Sequence, residues 1–142
     1  MIRLADNDDL PHCAEVVNGW IDGTPWLQRA TPAEKIREMF EGILQHRIIW
    51  VIGEPVEAYL SLDPSNGHIG ALNCRTPGCG HGSALLETAR EGRDFLSVCP
   101  LMANVRAQTF WRRNGFATLG LEDETKPVPL RRLRMEWSRY GS

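Results

Sequence analysis

Pro77-Gly78-Cys79-Gly80-His81-Gly82-Ser83-Ala84-Leu85-Leu86 sets alternating glycines directly before a run of helix-forming residues. Without a Cβ, successive N–H groups can turn toward one point and an anion can come close to the main chain. A helix beginning near Ser83 adds the positive end of its dipole to the same place. The stretch therefore reads as an anion cradle, the alternative being a flexible turn ahead of an ordinary helix. No lysine follows Gly80 or Gly82, so the G-x4-G-K-[ST] pattern of nucleotide-phosphate loops is absent.

A second segment follows. Leu96 to Val98 is strand-like, and Asn104, Ala107, Phe110, Trp111, Gly115 and Phe116 fit N-x-x-A-x-x-[LF]-[YFW]-x-x-x-G-F. Glycine near a helix C-terminus takes the left-handed conformation, and a phenylalanine after it returns to the core. Together the two segments resemble the GNAT superfamily of acyl-CoA-dependent N-acetyltransferases. The resemblance spans essentially the whole chain and implies a mixed α/β fold. That fold has a mostly antiparallel central sheet of six to seven strands and about four helices, splayed in the middle to hold CoA.

Acetyl-CoA is then the implied co-substrate. Its diphosphate would be held by main-chain donors of Gly78, Cys79, Gly80, His81, Gly82 and Ser83, and its arm would lie beside Leu72, Asn73 and Cys74 and near Asn104. Asn104 also suits a helix N-cap. The family's R/Q-x-x-G-x-G/A wording fits Arg75-Thr76-Pro77-Gly78-Cys79-Gly80. Aligning on the helix instead puts Pro77 at the Arg/Gln position and uses Gly80 and Gly82, which is preferred because loop length is cheap to change while helix phase is set by packing. Trp111 stands where many relatives carry a tyrosine acid; an indole cannot supply that proton, so Trp111 is expected to pack against the cofactor arm or the core.

The implied reaction moves an acetyl group from acetyl-CoA to a primary amine by direct transfer in a ternary complex. A CoA-binding sensor or scaffold module with weakened catalysis is the alternative. Glu57 and His68 are candidate bases on strands pointing toward the expected cleft, the default reading of each being a solvated strand-end residue. Trp20, Asp22 and Trp26, in a Gly/Pro-containing segment between the first two helices, are candidate acceptor contacts, with a packing loop as the default reading. Cys74 is read as a strand residue, since nothing adjacent depresses its pKa.

Length and charge narrow the classes. The 142 residues suit one domain over 1–142, and a formal charge of −2 gives no broad positive field for nucleic acid. Arg131, Arg132 and Arg134 form a local basic strip, better read as an edge-strand device. Met1-Ile2-Arg3-Leu4 passes into Asp6, Asp8 and Asp9 rather than an apolar leader, and Ile48 to Ile52 is far short of the roughly twenty apolar residues of a membrane span. A cytoplasmic protein without membrane contact is expected. The cysteines Cys13, Cys74, Cys79 and Cys99 lack paired spacing, so free thiols and no metal are expected; C-x4-C-x-H at Cys74, Cys79 and His81 lacks a companion pair.

The element order follows from periodicity and punctuation. A strand at 2–5 is followed by a helix capped at Asp8 or Asp9 with Pro11 in its first turn, presenting Leu10, Cys13, Val16, Val17 and Trp20. Thr31-Pro32-Ala33-Glu34 reads as a capping box for a second helix carrying Ile36, Met39, Phe40, Ile43 and Leu44. Strands are expected at 47–52, 56–62, 68–74, 95–99, 116–121 and 131–137, and helices at 83–91 and 104–114. In the last strand Leu133, Met135 and Trp137 alternate inward. The segment from Glu122 to Pro129 could form an arm exchanged in a homodimer.

Overall fold

The computed structural model describes residues 1–124 and 130–141. Seven strands form one sheet in the order β1-β2-β3-β4-β5-β7-β6. They are β1 (Ile2–Leu4), β2 (Ile48–Ile52), β3 (Ala58–Asp63), β4 (His68–Cys74), β5 (Phe95–Val98), β6 (Ala117–Glu124) and β7 (Leu130–Ser138). Among the described residues four α-helices accompany them: α1 (Leu10–Asp22), α2 (Ala33–Met39), α3 (His81–Arg90) and α4 (Val105–Arg113). All pairings are antiparallel except β4 with β5.

Strand alternation divides the core between the two faces. Ile52, Leu60, Leu62, Leu96, Val98, Leu133 and Met135 point to one face, where Leu85, Leu86 and Ala89 of α3 and Trp111 of α4 pack on them. Ile49, Val51 and Tyr59 point to the other and meet Leu10, Cys13 and Val16 of α1 and Ile36 of α2. Phe40 closes that second core edge-to-face on Tyr59, with centroids 5.8 Å apart. The helices of this second face cover β2 and β3 but not β5 and β7, whose Ser97, Arg132, Arg134 and Glu136 remain outside both cores.

Three local expectations are corrected. The second helix does not run to Leu44: α2 ends at Met39, Gly42 takes φ 71°, and Ile43–Gln45 form a separate 3-10 turn. A left-handed glycine ends a helix more readily than the apolar spacing beyond it can extend one. Thr31 does not cap α2 either, since its N-cap position is Pro32 with no side-chain hydrogen bond. The capping box lies instead at the chain start, where Asp6 accepts from the Asp8 and Asp9 N–H groups and Asp9 accepts from the Asp6 N–H. Asp9 also takes a bidentate contact from Arg3 at 2.7 and 2.8 Å, tying β1 to the start of α1. The third helix begins at His81, two residues before the expected Ser83. The proposed exchanged arm falls partly on 125–129, outside the described residues.

Candidate active site

The site starts from one irregularity in the sheet. Ser61 pairs with Ala71 and Leu62 with Ile69, so Gly70 is an extra residue bulging from β4. Beside the bulge β4 and β5 are partners at a single residue pair, His68 with Ser97, and beyond it no further pair joins them. Parallel strands that part after one pair leave a wedge toward their C-terminal ends. Leu72 and Cys74 lie on β4 where that wedge opens, partly buried against the core under α3. The Cys74 thiol is pushed up by burial, which keeps it protonated and poorly suited to nucleophilic attack.

The glycine loop lies at the open end. Gly78 and Gly80 adopt φ of 88° and 87°, and a Cβ built on either would meet nothing within 4 Å. Their conformation therefore answers to the course of the main chain, not to crowding, and it leaves the loop exposed ahead of the first turn of α3, for which Gly80 is the N-cap residue. No side chain caps that terminus. Gly82 is already helical, and a Cβ there would lie 3.4 Å from the Phe110 ring, so its small size lets α3 approach α4. Arg75 is committed elsewhere: Nε donates to the Val56 carbonyl at 2.8 Å and Nη2 to Glu15 at 3.3 Å. Cys79 is exposed, with Sγ 2.9 Å from the Thr76 carbonyl.

The fit of an acyl-CoA can be judged from these features. Left-handed glycines with open space above them, unshielded N–H groups at a ten-residue helix and a parted strand pair make a place for a diphosphate and an extended amide-bearing arm. Asn104 is the N-cap of α4; Oδ1 accepts from the Ala107 N–H at 3.1 Å, which commits the oxygen and leaves the amide nitrogen as a donor. Trp111 is only 6% exposed and packs edge-to-face between Phe110 and Phe116, each at 5.0 Å. It is a core residue.

A cavity of about 580 Å³ occupies the sheet face left bare by α1 and α2. His68 and Ser97 line it, with His68 Nδ1 2.8 Å from Ser97 Oγ. Half-burial, followed by the positive field of Arg47, lowers the His68 pKa from its ordinary value, so the imidazole is neutral at neutral pH. The tautomer in which Nδ1–H donates to Ser97 leaves the Nε2 lone pair as proton acceptor. Ser97 escaped sequence reading because its relation to His68 spans 29 residues.

Other candidates lie elsewhere. Glu57 sits before β3, folded over Gly53, at the end of the sheet opposite His68 and about 20 Å away along the strands. It does not line the cavity, and neither do Trp20, Asp22 and Trp26. The two tryptophans pack edge-to-face at 6.1 Å, and Asp22 is paired with Arg29 at 3.0 Å. Arg29, which the sequence did not single out, also donates to Asn18 Oδ1 at 2.9 Å and the Thr31 carbonyl at 3.0 Å, knitting the segment to α1. Among the described residues no group of three or more His, Cys, Asp or Glu is arranged to hold a metal ion, and no helix is long and apolar enough to cross a membrane.

Comparison with solved structures places this architecture. A protein of Desulfovibrio desulfuricans assigned to the GNAT family of acetyltransferases superposes with a TM-score of 0.71 at 16% identity, covering 97% of this chain and 98% of that one. The chain has the fold of the GNAT acetyltransferases. Within that fold, yncA of Salmonella typhimurium, described as an acetyltransferase and solved with its cofactor acetyl-CoA, matches at a TM-score of 0.71 and 19% identity, over 97% of this chain and 92% of the other. The ribosomal-protein-alanine N-acetyltransferase of Brucella melitensis matches at 0.72 and 21% identity, over 97% and 99%. No family sequence profile and no curated protein matches the chain.

Proposed function

We propose that the protein is an acyltransferase that moves an acetyl group from acetyl-CoA to a primary amine, the two being bound together. The observation that carries this reading is the single His68–Ser97 pairing of β4 and β5. Beyond that pair the strands part on the side of the glycine loop, while His68 and Ser97 themselves line a polar cavity with a neutral imidazole.

Each residue has a part in that scheme. The N–H groups from Gly78 to Ser83 and the dipole of α3 bind the diphosphate, and the β4 main chain near Leu72, Asn73 and Cys74 pairs with the amide-bearing arm. The Asn104 amide nitrogen donates to that arm. When bound, acetyl-CoA supplies an activated thioester. His68 accepts the proton of the acceptor ammonium at Nε2, and Ser97 holds the ring through Nδ1, leaving the amine nucleophilic; as the C–N bond forms the thioester C–S bond would break, and the proton the amine then sheds would go to the departing thiolate. Glu57, far from the cavity, is assigned no part in this proton transfer. The experiment is thiol release from acetyl-CoA across a panel of primary amines. Release above background supports the reading, and its absence with every amine rejects it.

A second reading, a CoA-binding module with weakened catalysis, is favoured by Trp111. An indole buried among Phe110 and Phe116 offers no proton at the position where relatives use tyrosine. Loss of one general acid costs roughly 10² to 10⁴ in rate. Thermal protection by CoA without thiol release would favour this second reading. We further propose a cytoplasmic location and a small-molecule or peptide amine as partner, with neither nucleic acid nor membrane. A homodimer is proposed as well, and light scattering tests it.

A further inference from the structure

The cavity beside His68 carries an unbalanced set of charges. On the β6–β7 hairpin, Glu122, Glu124 and Glu136 face it together with Arg132 and Arg134. Both guanidiniums are already committed. Arg132 pairs with Glu124 and donates to the Cys99 carbonyl at 2.8 Å, and Arg134 lies 3.3 Å from Glu136. The ladder sets Glu122 opposite Arg132, yet Arg132 turns to Glu124, two residues along the strand. Among the described residues the Glu122 carboxylate meets the Cys99 thiol, 3.6 Å away. Burial and the Glu122 charge both push that thiol up, so it stays neutral and does not compensate the carboxylate.

Among the described residues that line the cavity, three carboxylates face two paired guanidiniums, which leaves one negative charge, that of Glu122. The same charge acts on His68 across the cavity, where it favours the protonated ring. A bound ammonium would balance it. A carboxylate entering with the ammonium would meet Glu122 and the two paired glutamates and, among the described lining residues, would find no uncommitted guanidinium. Glu122 is exposed, and like charges brought together at it disfavour an entering carboxylate.

We infer that Glu122 selects the acceptor: the cavity takes primary amines that carry no carboxylate on the amine-bearing carbon and rejects the corresponding α-amino acids. This rests on the acyltransferase reading for its kinetic form, but the binding preference is measurable without turnover.

The test uses matched pairs that differ only in the carboxylate and carry a single amine, tyramine against tyrosine and 2-phenylethylamine against phenylalanine. With acetyl-CoA, kcat/KM for the amine should exceed that of its amino acid by about tenfold or more, a single unit of 1.4 kcal/mol. Glu122→Gln should shrink that ratio at least about fivefold, chiefly through KM for the amine, and Glu122→Asp should restore much of it. Calorimetry of the same pairs without acetyl-CoA should show tighter binding of the amines by wild-type protein and not by Glu122→Gln. Equal use or binding of the two members, or a preference that survives Glu122→Gln, overturns the inference. Absence of thiol release with every amine rejects the acyltransferase reading instead, and calorimetry then decides the inference by itself.

Discussion

His68 Nδ1 lies 2.8 Å from Ser97 Oγ across the one residue pair at which β4 and β5 are joined. The bond fixes the ring at the closed end of the wedge, where the cavity begins. Burial and Arg47 lower the pKa of this histidine below its ordinary 6.5, so lone-pair character persists at neutral pH and is lost only in more acid solution. The acid limb of kcat/KM should therefore have its midpoint below 6.5. His68→Gln should remove that limb and lower the rate by about 10² or more. Ser97→Ala should move the limb without removing it. A profile that is the same in His68→Gln and wild type would eliminate His68 as base.

The two left-handed glycines of the cradle give a prediction free of steric clash. Because a Cβ at 78 or 80 meets nothing within 4 Å, Gly78→Ala and Gly80→Ala act only through the backbone. An L-residue held in that conformation costs about 1–2 kcal/mol. Relaxation of the loop should redirect its N–H groups, and CoA affinity measured by calorimetry should fall about tenfold for each variant. Unchanged affinity in both would mean that the diphosphate is held elsewhere.

Trp111 should behave as a core residue. Trp111→Ala is expected to destabilise the fold by about 3–5 kcal/mol in urea unfolding, the cost of emptying a large buried site. Trp111→Tyr should change the rate of acetyl transfer by no more than a few-fold, because a hydroxyl enclosed by Phe110 and Phe116 reaches no reacting atom. A large change in rate with unchanged stability would give Trp111 a place in the chemistry.

Arg3 and Asp9 tie β1 to α1, and their bond should show in the acid stability of the protein. Hydrogen bonds from Arg3 hold the Asp9 pKa below its ordinary value of 3.8. A carboxyl depressed in the folded state contributes stability that is full above the unfolded value and disappears as pH falls through the folded one. Asp9→Asn should accordingly lower Tm at pH 7 and lose its disadvantage in strong acid, where the wild-type aspartate is protonated too. Parallel Tm curves down to the acid limit would contradict this.

Much of the fold was legible because short-range rules govern it. The glycine run before Ala84-Leu85-Leu86, the strands at 48–52 and 68–74 and the Asn104 cap all follow from steric preference and spacing within a few residues. The same rules failed at 40–44, where continued apolar spacing suggested more helix and Gly42 decided otherwise. They also pointed equally to Glu57 and His68, which share a strand-end character but lie at opposite ends of the sheet.

By itself, then, the sequence determined the elements, their order and the glycine cradle, since these depend on neighbours along the chain. Only the tertiary structure decided that His68 meets Ser97, that Gly70 bulges where β4 and β5 part, that Trp111 is enclosed and that Arg132 turns to Glu124 and not to Glu122. The meeting of His68 with Ser97 requires strands separated by a helix in the sequence to lie side by side, and the enclosure of Trp111 requires α4 to pack on the sheet; no local preference encodes which elements meet.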